Sequence, residues 1–221
     1  MKIRIYLGLV FTMVFIVLSL ACNQPISNSN QMMNSNSAMN MNGMNRNSMP
    51  MNSNMPMNHS EMKSSPNAAT APYDLQFIDT MTAHHQGAIE MAKMIDGKTT
   101  NADLKKFAAQ IITDQEKEVA QMKEWREKWF SGKPPAMNME MSGMADSMKM
   151  DMSKLSNAKD KEWDLMFLEM MTPHHQGAIT MSKEALQKSE KAEIKTLANQ
   201  IIKAQEAEIK MMADWKAKWS K

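Results

Sequence analysis

The 221-residue chain carries 26 Lys and Arg against 24 Asp and Glu, a net charge of +2, and so lacks the basic excess of a dedicated nucleic-acid binder. Seven Gly and eight Pro are too few turn residues for an all-β sandwich or a Gly-rich nucleotide fold, and one Cys excludes a disulfide framework, a thiolate zinc site or an iron–sulfur cluster within one chain. The anomaly is 29 methionines.

Residues 1–22 read as an export signal: Lys2 and Arg4 precede an apolar run from Ile5 to Leu20 that ends at Ala21 and Cys22. The run is shorter than the roughly 20 residues that span a bilayer. The stretch Leu18-Ser19-Leu20-Ala21-Cys22 resembles a bacterial lipobox, with Cys22 as the lipidated residue and Leu18 one place earlier than usual. The alternative is an ordinary signal peptide with a coincidental cysteine. Both predict an exported protein, periplasmic or, through its lipid, attached to the outer membrane.

Residues 23–72 form a tail rich in Met, Asn and Ser. Ten methionines fall between 31 and 62, and seven more lie in the sixteen positions 137–152 of a second segment, 131–160. Neither segment has an apolar period, so both are expected to lack fixed structure until something binds them. With no core there to fill, these methionines point to soft-metal capture, because thioethers need no deprotonation and form no disulfides in an oxidising compartment. The candidate ligands are Met39, Met41, Met44, Met55, Met57, His59 and Met62 in the tail, and Met137, Met139, Met141, Met144, Met148, Met150 and Met152 in the linker. A neutral low-complexity expansion, or an oxidation sink through methionine sulfoxide, would also produce such tracts.

Between and after these tracts the chain repeats itself. HHQGAI occurs at His84–Ile89 and again at His174–Ile179, and a gapless alignment of 73–129 with 163–219 gives 27 identities in 57 positions. The tandem units are 73–130 and 161–221. In the first, Phe77, Met81, His84, Ala88, Met91 and Ile95 recur at spacings of four and three, Asp96-Gly97 supplies a turn, and Leu104, Ala108, Ile111, Gln115, Glu118, Met122, Trp125 and Trp129 continue the pattern. Each unit is therefore a helical hairpin. Neither can cover its own apolar stripe, so the two predict one four-helix bundle, or hairpins that pair between chains.

His84, Gln115 and Glu118, repeated as His174, Gln205 and Glu208, interrupt the apolar seams. Folding helix 2 back on helix 1 pairs His84 with Gln115 and Met81 with Glu118, and places them in one layer near Met122. His85 lies about 100° around the helix from His84 but only about 40° from Met81. Imidazoles beside thioethers form a borderline-soft metal site: neutral imidazole suits copper, zinc and iron, while thioether sulfur selects Cu(I) and similar soft ions such as Ag(I). The candidate ligands are Met81, His84, His85, Met91, Glu118 and Met122 with their mates Met171, His174, His175, Met181, Glu208 and Met212. The competing reading is a polar packing layer in which His, Gln and Glu only satisfy one another.

The segment from Met81 through His84-His85-Gln86-Gly87-Ala88-Ile89 to Met91, followed by Gln115-Glu116-Lys117-Glu118 and Met122-Lys123-Glu124-Trp125, resembles the DUF305 family of CopM-like proteins, and does so twice. The resemblance implies a ferritin-like four-helix bundle, export, and copper binding with copper tolerance. It does not extend to the tail or linker. The Glu-x-x-His motif of di-iron bundles is missing and no nucleophile–base pair is present, so no enzyme activity is expected. The overall expectation is an all-α protein that captures or buffers Cu(I), and Ag(I) as a second ion, for tolerance or for delivery to a copper-accepting protein. It would act as a monomer or homo-oligomer, on a membrane through its lipid, without nucleic acid. The rivals are a metal-free helical interaction module and a ferritin-like redox or iron enzyme.

Overall fold

The structure, a computed structural model, describes residues 62–221. Cys22, the export signal, Met39, Met41, Met44, Met55, Met57 and His59 lie outside the described residues. Within them the chain is helical: α1 (Tyr73–Lys93), α2 (Ala102–Phe130), α3 (Met144–Ser147), α4 (Met152–Asn157), α5 (Asp160–Lys188) and α6 (Ala192–Trp219). No helix among the described residues is long and apolar enough to cross a membrane.

The hairpins form where the periodicity places them, and local chemistry sets their ends. α1 starts behind Pro72 and gives way to a turn in which Gly97 takes φ +69°, a conformation that a Cβ disfavours. Asn101 then caps α2, its side-chain oxygen accepting from the backbone N–H groups of Asp103 and Leu104, both at 3.1 Å. α5 runs through Pro173, which can donate no hydrogen bond to the preceding turn.

α1 packs on α2 and α5 on α6, and the two hairpins meet chiefly through α1 against α5. Lys188 near the end of α5 lies over the ring of Tyr73 at the start of α1, so these helices run antiparallel and cross at their centres. The result is a four-helix bundle with a pseudo-twofold relation between the hairpins. Its core holds Phe77, Met81, Leu104, Ile111, Met122, Trp163, Phe167, Met171, Ile201 and Met212, each at most 1% exposed. Trp125 stacks on Trp129 and Trp215 on Trp219, and Trp215 meets Phe107 edge-on.

The linker departs from expectation. Residues 131–160 do not lie loose: they carry α3 and α4 and bury Met141, Met144, Met148 and Met150 in the same core as the bundle. Met137, Met139 and Met152, with Met62 from the tail, pack against it partly buried. Two causes combine. Methionine is apolar enough to anchor a segment at irregular spacings, and side chains of α1 satisfy the linker backbone. Asp79 accepts from the Ala136 N–H at 2.8 Å and Thr80 Oγ1 from the Asn138 N–H at 2.9 Å, while Asn138 Nδ2 donates to Gln76 Oε1 at 2.8 Å. Arg126 of α2 braces Asp79 at 3.1 Å and donates to the carbonyl of Lys133 at 2.8 Å. Ninety residues on, the equivalents of Gln76, Asp79 and Thr80 are Met166, Glu169 and Met170, so these docking side chains belong to the first repeat alone.

α3 sits directly on Gly177 of α5. A Cβ at Gly177 would lie 2.3 Å from the Ser147 Cβ and 2.5 Å from the Gly143 carbonyl oxygen. Gly177→Ala is therefore expected to lift α3 off α5 and destabilise the protein by about 2 kcal/mol, within the usual range for overpacking. Thermal melting with far-UV circular dichroism checks this, with a melting temperature several degrees below that of the parent and helicity nearly unchanged.

Candidate metal centre

Four imidazoles, those of His84, His85, His174 and His175, lie where α1 crosses α5, each 0% exposed. His84 and His174 stack with ring centroids 3.8 Å apart, and each has its sequence neighbour about 6.3 Å away. The crossing thus brings together both copies of the HHQGAI motif, which sequence separates by 90 residues.

Helix geometry divides each pair. His85 faces the second helix of its own hairpin, where Nε2 meets Glu118 Oε2 at 2.6 Å, and His175 repeats this with Glu208 at 2.7 Å. The glutamates are partly exposed, at 19% and 16%, so each carboxylate links a buried ring to the surface. His84 faces the other way, towards α5 and the linker. Ser147 Oγ donates to the Met144 carbonyl at 2.9 Å, and so accepts from His84 Nε2–H, also at 2.9 Å. Ser147 also lines a solvent-facing groove of about 520 Å³ bordered by Thr172, Pro173 and Gln176.

This corrects the expected register. Glu118 belongs to His85, not beside Met81 in the layer of His84, and His84 is held by Ser147 and His174 instead of Gln115. The reason is that α1 has two buried faces. Thr82 and His85 look towards α2, with Thr82 Oγ1 3.9 Å from Met122 Sδ, whereas Gln76, Thr80, His84 and Gly87 look towards the linker and α5. A single seam drawn from spacings of four and three merges these faces. Met81, Met91, Met122, Met171, Met181 and Met212 are all 0% exposed in the surrounding core, and Thr172 Oγ1 lies 3.9 Å from Met212 Sδ as Thr82 does from Met122. Ser147 carried no sequence signal as a partner of the site, since it lies in the linker and has no counterpart in the repeat.

The layer has room for a ligand in its hydrogen bonding. With Nε2–H given to Ser147, the remaining Nδ1 of a neutral His84 is a lone-pair donor, and the Nδ1 atoms of His84, His85 and His175 are all buried without a hydrogen-bond partner. Gln115 and Gln205 are buried too, each with an unpartnered side-chain oxygen. A buried polar atom left unsatisfied costs about 1–3 kcal/mol, so three such nitrogens weigh heavily against a total stability of about 5–15 kcal/mol. A carboxylate that receives one imidazole N–H, leaving the other ring nitrogen for an ion, is the usual arrangement around metal-binding histidines. Among the described residues no three His, Cys, Asp or Glu side chains converge on one point, so an ion here would take its further donors from the methionines.

Burial, reinforced by the neighbouring His174, His85 and His175, holds the His84 imidazole well below its ordinary value of 6.5. The ring is thus neutral at pH 7, the form that binds metal. In the unfolded chain it takes up a proton near pH 6.5, which the folded protein refuses, so the unfolded state binds more protons as the pH falls. The metal-free protein is expected to keep this contribution above pH 6.5 and to lose stability below it, by up to about 1.4 kcal/mol per pH unit for this one group. Urea melts between pH 7.5 and 5 check this, and His84→Gln should flatten the slope.

The family model described as "Domain of unknown function (DUF305)" matches residues 23–126 and 74–216. Among solved structures, the chain is similar to CopM in the Cu(II)-bound form, with 42% identity, a TM-score of 0.58, and coverage of 66% of this chain and 97% of that one. CopM in the Cu(I)-bound form gives 38% identity and a TM-score of 0.57 over 66% and 96% of the two chains. A silver-bound form of CopM gives 38% and 0.56 over the same shares. A DUF305 protein from Streptomyces coelicolor, described as secreted, is 29% identical with a TM-score of 0.63 over 70% of this chain and 95% of that one. Comparison with curated proteins gives no match. A family model spanning both helical repeats, on a four-helix bundle shared with these structures, establishes that this chain belongs to the DUF305 family.

Proposed function

We propose that this protein captures monovalent copper, and silver as a chemical analogue, outside the cytoplasm, holding the ion in the bundle core for buffering or delivery. The observation that carries the proposal is the set of buried imidazoles at the α1–α5 crossing, three of them with a buried Nδ1 that has no hydrogen-bond partner. His84, His85, His174 and His175 are the nitrogen donors, with Met81, Met91, Met122, Met171, Met181 and Met212 as the surrounding thioethers. Glu118 and Glu208 orient His85 and His175 without binding the ion themselves. A neutral imidazole and a thioether suit Cu(I), which tolerates low coordination and a soft, uncharged donor set.

The copper- and silver-bound CopM structures support this choice of ion, and the Streptomyces coelicolor relative, described as a "putative secreted protein", supports an extracytoplasmic location. The lipid anchor at Cys22 belongs to the same proposal, as do weak first capture by the tail methionines and transfer to a copper-accepting protein. No catalytic role is assigned: the ion is cargo.

A metal-free packing layer remains the specific competitor, because the His85–Glu118 and His175–Glu208 bonds satisfy half of each ring. Glutamine separates the two readings, since its amide N–H can still serve the glutamate while the imidazole nitrogen is gone. The His85→Gln/His175→Gln double variant is expected to bind Cu(I) at least tenfold more weakly in an anaerobic titration against a chromophoric chelator, with its far-UV circular dichroism retained. Unchanged affinity would exclude these imidazoles as ligands, and a parent protein that never competes with the chelator would remove copper capture altogether.

A further inference from the structure

The described chain begins on the linker. The backbone N–H of Ser65 donates to the Met137 carbonyl at 2.8 Å, and Ser64 Oγ accepts from the Met139 N–H at 2.9 Å. Numbering falls along one segment as it rises along the other, so the two run antiparallel and the residues before Met62 are aimed along the linker towards Gly143. There the solvent-facing groove of about 520 Å³ opens between α3 and α5, with Gly143, Asp146 and Ser147 on one wall and Pro173, Gln176 and Thr180 on the other. We propose that residues 54–59 dock in this groove, as an extended second strap beside the linker. Such docking belongs to the metal-free chain and goes beyond the copper reading without resting on it.

Reach and chemistry both fit. Gly143 is four residues beyond Met139, at most about 14 Å even if that stretch were fully extended, and the linker turns there, with the Met141 N–H donating to the Asn138 carbonyl at 3.2 Å. Extended chain advances about 3.3 Å per residue, so the stretch from Met62 back to Asn54 covers roughly 26 Å, enough for the approach and the groove together. The order Asn54-Met55-Pro56-Met57-Asn58 suits such a course, because a residue before proline is pushed towards extended backbone. The walls offer what these side chains need. Thr180 gives its hydroxyl proton to the Gln176 carbonyl at 2.9 Å and keeps its oxygen as an acceptor for an asparagine amide, the exposed Gln176 amide both donates and accepts, and Pro173 supplies apolar surface for a thioether. The linker shows the same chemistry at work on α1, where Asn138 bonds to Gln76 and Thr80 while Met137 and Met139 pack half-buried beside it.

The repeats differ at this place in the way the docking requires. Ala83 and Gln86 of α1 are half-buried, whereas their counterparts ninety residues on, Pro173 and Gln176, are exposed. The open face is thus on the second repeat, bordered by the part of the linker towards which the tail is aimed. Because Ser64 and Ser65 already fix one end, the segment meets the groove at the millimolar effective concentration typical of a short tether, and a few side-chain contacts suffice. Docking seats Met55 and Met57 along α3, on the wall that includes Ser147, whose hydroxyl is bonded to His84.

The test uses the full mature chain, kept metal-free with a chelator, so its outcome is separate from that of any copper titration. In dilute hydrogen peroxide, Met55 and Met57 should form sulfoxide about threefold more slowly, or slower still, than in a synthetic peptide of residues 53–61, as read by peptide mass spectrometry. Gln176→Trp, which fills the groove from an exposed helix position, should restore the rate of the free peptide with far-UV circular dichroism unchanged. A parent chain oxidised as fast as the peptide would overturn the docking. Protection that survives Gln176→Trp would overturn it too, by placing the segment elsewhere, and protection lost on dilution would assign the contact to a second copy. A second measurement does not depend on the tryptophan variant. Met55→Ser/Met57→Ser should shift the Thr180 methyl resonance and leave that of Thr113, exposed on α2, in place; an unmoved Thr180 methyl would overturn the proposal while leaving copper capture standing.

Discussion

The structure depends on hiding four imidazoles from water at one helix crossing. An uncharged ring can be buried where a charged one cannot, and the cost of desolvation falls on the protonated form. The bundle accepts that cost and then compensates only part of each ring: a carboxylate for His85 and His175, a serine hydroxyl for His84. What is left over is a buried nitrogen without a hydrogen-bond partner on each of these three rings, a position a soft cation could use. For His84 the same arrangement couples fold to chemistry, because the neutral form favoured by burial is also the form that can donate to metal.

Around this crossing the methionines fall into environments that composition alone lumps together. In the long helices Met81, Met91, Met122, Met171, Met181 and Met212 are fully buried and fill irregular core space with a flexible chain, whereas Met166 and Met170 are partly buried and Met211 is exposed. Those of the linker are also drawn inward, yet through a segment without helical period, held by Gln76, Asp79, Thr80 and Arg126 and admitted by two glycines. Duplication produced two equal motifs, and a single linker docked on the first repeat made them unequal. The side chains that hold it are present in one copy and replaced by Met166, Glu169 and Met170 in the other.

Much of the architecture was legible in the order of residues. The repeat offset, the four-and-three spacing, the turn at Asp96-Gly97 and the shared motifs lead to paired hairpins and one bundle, because amphipathic helices have few ways to cover their stripes. The family resemblance lies in the same residues. Less legible was which histidine faces which neighbour. Adjacent residues point about 100° apart, and α1 is buried on both faces, so periodicity identifies the layer without dividing it. The linker was misjudged for a related reason. Absence of a period argues against an independent helix, but says nothing about whether an existing surface offers hydrogen bonds to a strap of methionines.

By itself the sequence determined that this is a duplicated, helical, methionine-rich protein whose polar interruptions recur in register, since helix periodicity and repeat identity are local properties of the chain. Tertiary structure alone decided that the two HHQGAI motifs meet face to face, that Glu118 serves His85 while Ser147 serves His84, and that the linker packs over Gly87 and Gly177. Those are contacts between segments far apart in the chain, set by how two hairpins cross and by the space a missing Cβ leaves, and no local pattern encodes a crossing.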